Sequence, residues 1–192
     1  MAERATGRGL PGGDDEIRSR GSRRDRLYEE AAASHGAALE RLARAYEADP
    51  DRRLDLLQDI HLALWRSFER FDERCSARTW IYRVAHNVAT SRVSRRRANA
   101  PTLVSLDALD TMADANEAER VFDQRQAMER LVTLIRRLQP LDRQVMVLYL
   151  EGMEATAIGE ITGISPRYVA TKVHRIKKLL TQRFHEGGHH GE

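Results

Sequence analysis

The stretch GISPRYVATKVHRIKKLL, residues 163–180, decides how this chain is built. Gly163 tolerates a positive φ and so can close a preceding helix. Ser165 is a helix N-cap type. Pro166 stands at the first helical position, where its missing N–H costs nothing. From there Val169, Val173, Ile176 and Leu180 recur at helical spacing and define a buried stripe. Arg167, Tyr168, Thr171, Lys172, Arg175 and Lys178 fall on the remaining surface, with His174 near its edge. Just upstream, EATAIGEITG (154–163) predicts a short helix with Ala157, Ile158 and Ile161 inward. Two helices joined by so tight a turn, the second polar and basic outside, form a helix-turn-helix. Its outer side chains are hydrogen-bonding and cationic, the types that read base edges and hold phosphates in a major groove. Taken alone, Lys172, Arg175, Lys177 and Lys178 also fit a merely solvated face; the capped turn and the short partner helix favour DNA.

Composition agrees with a helical protein. Of 192 residues, 41% are hydrophobic but only 6% aromatic, so cores must be built from Leu, Ile, Val and Ala. No run approaches the roughly 20 apolar residues of a membrane span, so no membrane partner is expected. The first residues lack the apolar core of a secretory signal. A single cysteine, Cys75, excludes an internal disulfide framework and fits the cytoplasm. The net charge of +3 decides little, but residues 101–125 hold six acids against two arginines, between two weakly basic blocks. Basic blocks flanking an acidic joint suit a polyanion partner.

Periodicity divides the chain into two small helical domains. Residues 1–26 are rich in Arg, Gly and Asp without apolar spacing and predict a disordered extension. A first all-α domain spans 27–97. Its first helix carries Leu39, Leu42, Ala43 and Tyr46, and the pattern breaks at Pro50. The second, 54–68, carries Leu56, Leu57, Ile60, Leu64 and Trp65; the third, 79–97, carries Ile81, Val84, Ala85, Val88 and Val93. Residues 98–125 read as a flexible acidic linker. A second domain, 126–184, opens with the helix MERLVTLIRRL, stopped before Pro140, and continues with LDRQVMVLYLEG, ended by Gly152. Residues 185–192 read as a disordered tail whose His185, His189 and His190 are incidental rather than a metal site.

A second basic stretch, RTWIYRVAHNVATSRVSRRR (78–97), combines Trp80, Tyr82, His86 and Asn87 with Arg92, Arg95, Arg96 and Arg97. Rings interleaved with arginines suit unpaired bases. Trp80 reads as core, whereas Asn87 and the arginines read as nucleic-acid contacts. On the second helix Asp55, Gln58 and Asp59 stand at i, i+3 and i+4. Such a patch repels DNA, so it is either a solvated face or a surface for a basic protein partner.

DLLQDIHLALWRSFERFD followed by RTWIYRVAHNVA resembles the core-binding and promoter-melting region of bacterial RNA polymerase sigma factors. LQPLDRQVMVLYLEGMEATAIGEITGISPRYVATKVHRIKKLL resembles their C-terminal helix-turn-helix region. The short linker, with no folded domain between, is similar to the extracytoplasmic-function (ECF) class. The resemblance implies that Asp55, Gln58 and Asp59 bind the clamp of the largest subunit of core RNA polymerase. It implies that the loop 72–78, with Arg78, Asn87, Arg92, Arg95 and Arg96, faces the minus-ten element of promoter DNA. It implies that Thr171, His174 and Arg175 read the minus-thirty-five element while Arg167, Tyr168, Lys172 and Lys178 support that contact. The linker acids would follow a polymerase path otherwise taken by RNA, and an anti-sigma factor is implied as a further partner. Ala77, Ala170 and His61 depart from the usual residue types at their positions, which bears on promoter choice and affinity.

No nucleophile–base pair, phosphate-cradling glycine loop or carboxylate dyad stands out, so neither an enzyme nor a cofactor is expected. A free-standing helix-turn-helix regulator is the alternative, but it has no use for the Asp55/Gln58/Asp59 helix and the RTWIYRVAHN helix after it. A helical protein that sequesters a regulatory partner is a further alternative, and it predicts no DNA contact by Arg175.

Overall fold

The computed structural model describes residues 13–99 and 120–186, with side chains placed over 23–95 and 125–184. All regular structure among the described residues is helical: α1 (Gly13–Tyr46), α2 (Pro50–Ser67), α3 (Ala77–Asn99), α4 (Arg120–Arg137), α5 (Pro140–Leu150), α6 (Ala155–Thr162) and α7 (Pro166–Glu186), with a 3-10 turn at Phe68–Arg70. The linker and tail positions 100–119 and 187–192 lie outside the described residues.

The boundaries differ from the sequence reading in instructive ways. The pattern does break here, with α1 ending at Tyr46, but Pro50 also opens α2, four residues before the expected start: Asp49 caps the helix by accepting from Arg52 N–H at 2.9 Å, and the proline sits where no N–H is needed. Helix α1 begins at Gly13, inside the segment read as disordered. Its early turns have no apolar stripe, but they are tied to α2 through polar atoms that periodicity does not register. Trp65 Nε1 donates to Asp25 at 2.9 Å, and the Arg24 guanidinium lies 3.7 Å over the Trp65 ring. Helix α4 likewise starts at Arg120, six residues before the expected domain edge.

In the first block α1, α2 and α3 pack around Leu39, Leu42, Leu56, Ile60, Leu64, Ile81 and Ala85, all at most 2% exposed. Trp80 belongs to this packing, tilted against Phe71 with its indole N–H donating to Ser67 at 2.9 Å. Tyr82 and His86, grouped above with nucleic-acid candidates, are core residues at 1% and 0% exposure. With Ala85 and Ala89 they give α3 a second buried stripe. Burial drives the Tyr46 phenol far up and so keeps it protonated, and its hydroxyl shares a hydrogen bond of 2.9 Å with His86 Nδ1.

Burial also pushes His86 down to about 3. The unfolded chain therefore binds a proton below the ordinary histidine value near 6.5 while the folded chain resists it. The contribution of neutral His86 is complete above that value and is lost as pH falls toward 3, on the order of a few kcal/mol. Urea midpoints measured between pH 7 and pH 4 should fall steeply for the native chain, and the fall should be shallower for His86→Leu.

In the second block α4 to α7 enclose Val145, Leu148, Ile158, Val169 and Ile176, with Arg143 buried at 5% exposure. Arg143 closes the turn between α4 and α5 by donating to the carbonyl oxygens of Arg136 and Leu138. The two blocks touch: α4 and α5 pack on α1, and α5 and α6 pack on α3.

Candidate nucleic-acid interface

The turn between α6 and α7 is built as its residues require. Gly163 has φ 76°, closing α6 with its N–H on Gly159 O at 2.8 Å. Ser165 Oγ accepts from Tyr168 N–H at 3.3 Å, and Pro166 is the first helical residue. Gly159, which the sequence reading passed over, is what allows the turn to be this tight. A Cβ there would lie 2.6 Å from Ile164 O. Its signal was spacing: a glycine four residues before the αL glycine, inside a short apolar helix.

Val169, Val173, Ile176 and Leu180 are buried and anchor α7. Arg167, Tyr168, Thr171, His174, Arg175 and Lys178 are exposed along the opposite side. Thr171 Oγ1 donates back to Arg167 O at 3.1 Å, so outward it offers lone pairs and a methyl group. Lys172 is different. It is half-buried, its Nζ lies 2.5 Å from Asp142 Oδ1 on α5, and that bond raises its pKa. Its charge is thus partly spoken for before any phosphate arrives.

The first block divides its candidates. Asp55 and Asp59 are exposed on α2, and both are bound by Arg92 of α3, at 3.2 and 2.7 Å. Arg92 thereby joins the acidic face instead of standing free. Gln58 is exposed between the two acids, and so are Leu54 at 63% and Leu62 at 46%. These leucines lie off the buried stripe, a signal the periodicity reading missed, and they make the face both acidic and apolar. Asn87 and Arg95 are exposed along a shallow groove shared with Asp59, Leu62 and Arg66. Arg78, about two and a half turns before Asn87, lies on the opposite side of α3. Arg96 lies beyond the described side chains.

Arg78 is engaged by the second block. Its guanidinium donates to the backbone oxygen of Glu151, the residue after α5. The Glu151 carboxylate, 10% exposed, accepts from Arg41 Nε and Nη2 at 2.7 Å each and from Tyr82 O–H at 3.2 Å. Burial, reinforced by this carboxylate, pushes the Tyr82 phenol up to about 12. An acid at a helix C-terminus opposes the helix dipole, and that was the one sequence signal that could have singled out Glu151. No helix among the described residues is long and apolar enough to cross a membrane.

Comparison with known proteins matches both blocks. Residues 32–99 match the family Sigma-70 region 2, and residues 128–180 match Sigma-70, region 4. The RNA polymerase sigma factor CnrH of Cupriavidus metallidurans is 26% identical over 166 residues, covering 81% of this chain and 85% of that protein. The RNA polymerase sigma factor NccH of Alcaligenes xylosoxydans xylosoxydans is 25% identical over 178 residues, covering 89% and 94%. Among solved structures, CnrH in complex with the cytosolic domain of CnrY superposes with TM-score 0.62 at 20% identity, covering 88% of this chain and 94% of that one. The sigma factor RpoE of Bartonella quintana, in complex with the anti-sigma factor NepR, superposes with TM-score 0.60 at 15% identity, covering 86% and 98%.

Proposed function

The chain belongs to the sigma-70 family of bacterial RNA polymerase sigma factors, in its extracytoplasmic-function class, and from that premise we propose which of its residues carry initiation. As a sigma factor it binds core RNA polymerase and directs promoter-specific initiation, while phosphodiester chemistry stays with the polymerase. A free-standing regulator accounts for the second block but leaves a region-2 block without a task.

Thr171, His174 and Arg175 read the minus-thirty-five duplex, with Arg167, Tyr168 and Lys178 beside them. The observation that carries this is the single exposed arc they form on a helix whose other face is anchored by Val169, Val173, Ile176 and Leu180. The acidic and apolar face of Leu54, Asp55, Gln58, Asp59 and Leu62 docks on the polymerase clamp. Asn87, Arg95 and Arg78 meet the minus-ten strand, on two sides of α3. Because the structural relative RpoE is bound by the anti-sigma factor NepR, an anti-sigma factor is the partner class proposed for this chain as well.

Salt dependence and base preference separate the roles on α7. Arg175→Ala should cost about 1–3 kcal/mol at the preferred minus-thirty-five sequence and flatten the preference at one base pair. Lys178→Ala should weaken all sequences alike and lower the salt slope by about one unit. Lys172→Ala should change that slope little, since Asp142 already offsets the charge. Asp142→Asn should release Lys172 and steepen the slope by about one unit. A promoter library selected with each variant, together with titrations at several salt concentrations, checks all four. An unchanged sequence preference for Arg175→Ala would move base reading to Thr171 or Arg167.

A further inference from the structure

Four residues near the start of α1 run antiparallel along one edge of α2 and reach the loop beyond it. Tyr28 O–H and His61 Nδ1 share a hydrogen bond at 3.1 Å, with the two rings edge to face. One turn on, Trp65 Nε1 donates to Asp25 at 2.9 Å, and the Arg24 guanidinium covers the indole at 3.7 Å. Arg24 Nε also donates to the Asp25 carboxylate at 3.1 Å, which closes a ring of three contacts. Arg23 Nη2 then donates to Glu73 Oε1 at 2.6 Å, in the loop between the 3-10 turn and α3. His61 and Trp65 stand at i, i+4, as do Arg24 and Tyr28, so the two helices meet in register. All four α1 residues precede the stretch 32–99 that matches Sigma-70 region 2. They form a strut outside the matched block.

The loop it reaches has fixed ends and an exposed middle. Phe71 and Thr79 are buried, and Ser76 Oγ accepts from Thr79 N–H at 3.1 Å to start α3. Asp72, Glu73 and Arg74 between them are exposed. Glu73, at φ 61°, is the one non-glycine residue at positive φ among the described residues. A glutamate there is held against its backbone preference. Arg23 and Glu73 are 53% and 67% exposed, and such a pair adds little to global stability. It weighs instead on the shape of the loop, where a strained backbone leaves little margin. We propose that Arg23 is a positioning residue for minus-ten recognition. Braced on Trp65 through Arg24 and Asp25, it holds Glu73 and fixes the loop 72–76 against α1. That sets the pose in which the loop and the start of α3 meet the minus-ten strand. The pairing also offsets a carboxylate that would repel the phosphates of the strand. The positioning role rests on the reading that the loop 72–78 faces promoter DNA, but the brace itself does not.

The test uses the full chain. A nitroxide on Arg74→Cys in a Cys75→Ser background, at an exposed loop position, reads the loop directly. Arg23→Ala should sharpen its spectrum toward free rotation, and Arg23→Lys should restore much of the restriction. An unchanged spectrum in Arg23→Ala overturns the brace. The unlabelled variants, with core polymerase and a promoter library randomised at both elements, read recognition. Arg23→Ala should shift the preference at a minus-ten position by up to about fivefold, the population change that one exposed ion pair can make. The minus-thirty-five preference and the thermal midpoint should stay as in the parent. In a Glu73→Ala background Arg23→Ala should add nothing, since both act through one contact. A further change in that background overturns the proposal by making Arg23 a DNA contact in its own right. A uniform loss at all promoters with a lowered midpoint overturns it in favour of a general structural role. A loosened loop with an unchanged minus-ten preference would keep the brace but remove the reading that this loop faces the minus-ten element, and with it the positioning role.

Discussion

Val173→Asp will abolish binding of the chain to duplex promoter DNA, and will do so by unfolding α7 rather than by removing a contact. Val173 is 9% exposed and sits on the anchored stripe with Val169 and Ile176, against α5 and α6. An aspartate there is either charged in an apolar interior or neutralised. Neutralising a carboxyl of ordinary acidity at pH 7 costs about 4 kcal/mol, and the lost valine burial adds about 1.5 kcal/mol or more. A block of this size has only about 3–8 kcal/mol of stability in all. The outcome should be lost helical signal from the second block and no footprint at any sequence. Arg175→Ala, in contrast, should keep the helical signal while changing which sequence is preferred. Helical content and footprinting on the two variants check this, and a folded Val173→Asp chain that still binds would mean that α7 is not seated as described.

The second large effect falls on the other block. Asp55→Lys with Asp59→Lys should weaken binding to core polymerase by roughly 100-fold, since two attractive charges become repulsive at a surface complementary to them. The structure supplies a control that the sequence did not suggest. Arg92 bonds both acids, so the double substitution also sets three cations against one another inside the chain. Adding Arg92→Glu restores that bridge with its signs reversed. The triple variant should regain the thermal midpoint of the parent yet still fail to bind polymerase. Recovery of polymerase binding along with the midpoint would mean that the acids serve only to brace α2 on α3.

The helices and the turn at 163–165 were legible because local chemistry fixes them. Glycine at φ 76°, a serine cap and a proline at the first helical position leave little freedom for anything else. The buried stripes of α2 and α7 followed from spacing in the same way. Tyr82 and His86 did not, because polar ring residues carry no apolar period and become core only once Tyr46 supplies His86 with a hydrogen bond. The start of α1 failed for a related reason: Asp25 and Arg24 secure it to Trp65 through polar and ring contacts. The break at Pro50 was legible, since α1 ends at Tyr46, but the start of α2 there was not, because proline's meaning depends on whether a cap precedes it, and Asp49 does. Among candidate site residues, those exposed on α7 could be read from one helix alone. The pairing of Arg92 with Asp55 and Asp59, of Lys172 with Asp142, and of Arg78 with Glu151 joins distant parts of the chain, which no periodicity reports.

The central assignment, that this chain gives core polymerase a choice of promoter, is met most directly by run-off transcription on genomic fragments with core polymerase, with and without the chain. The account predicts discrete transcripts that appear only when the chain is added, share upstream sequence at two spaced positions, and vanish with Asp55→Lys/Asp59→Lys. Footprints formed by the chain alone, without any chain-dependent transcript from core polymerase, would contradict it and return the molecule to the class of free-standing regulators.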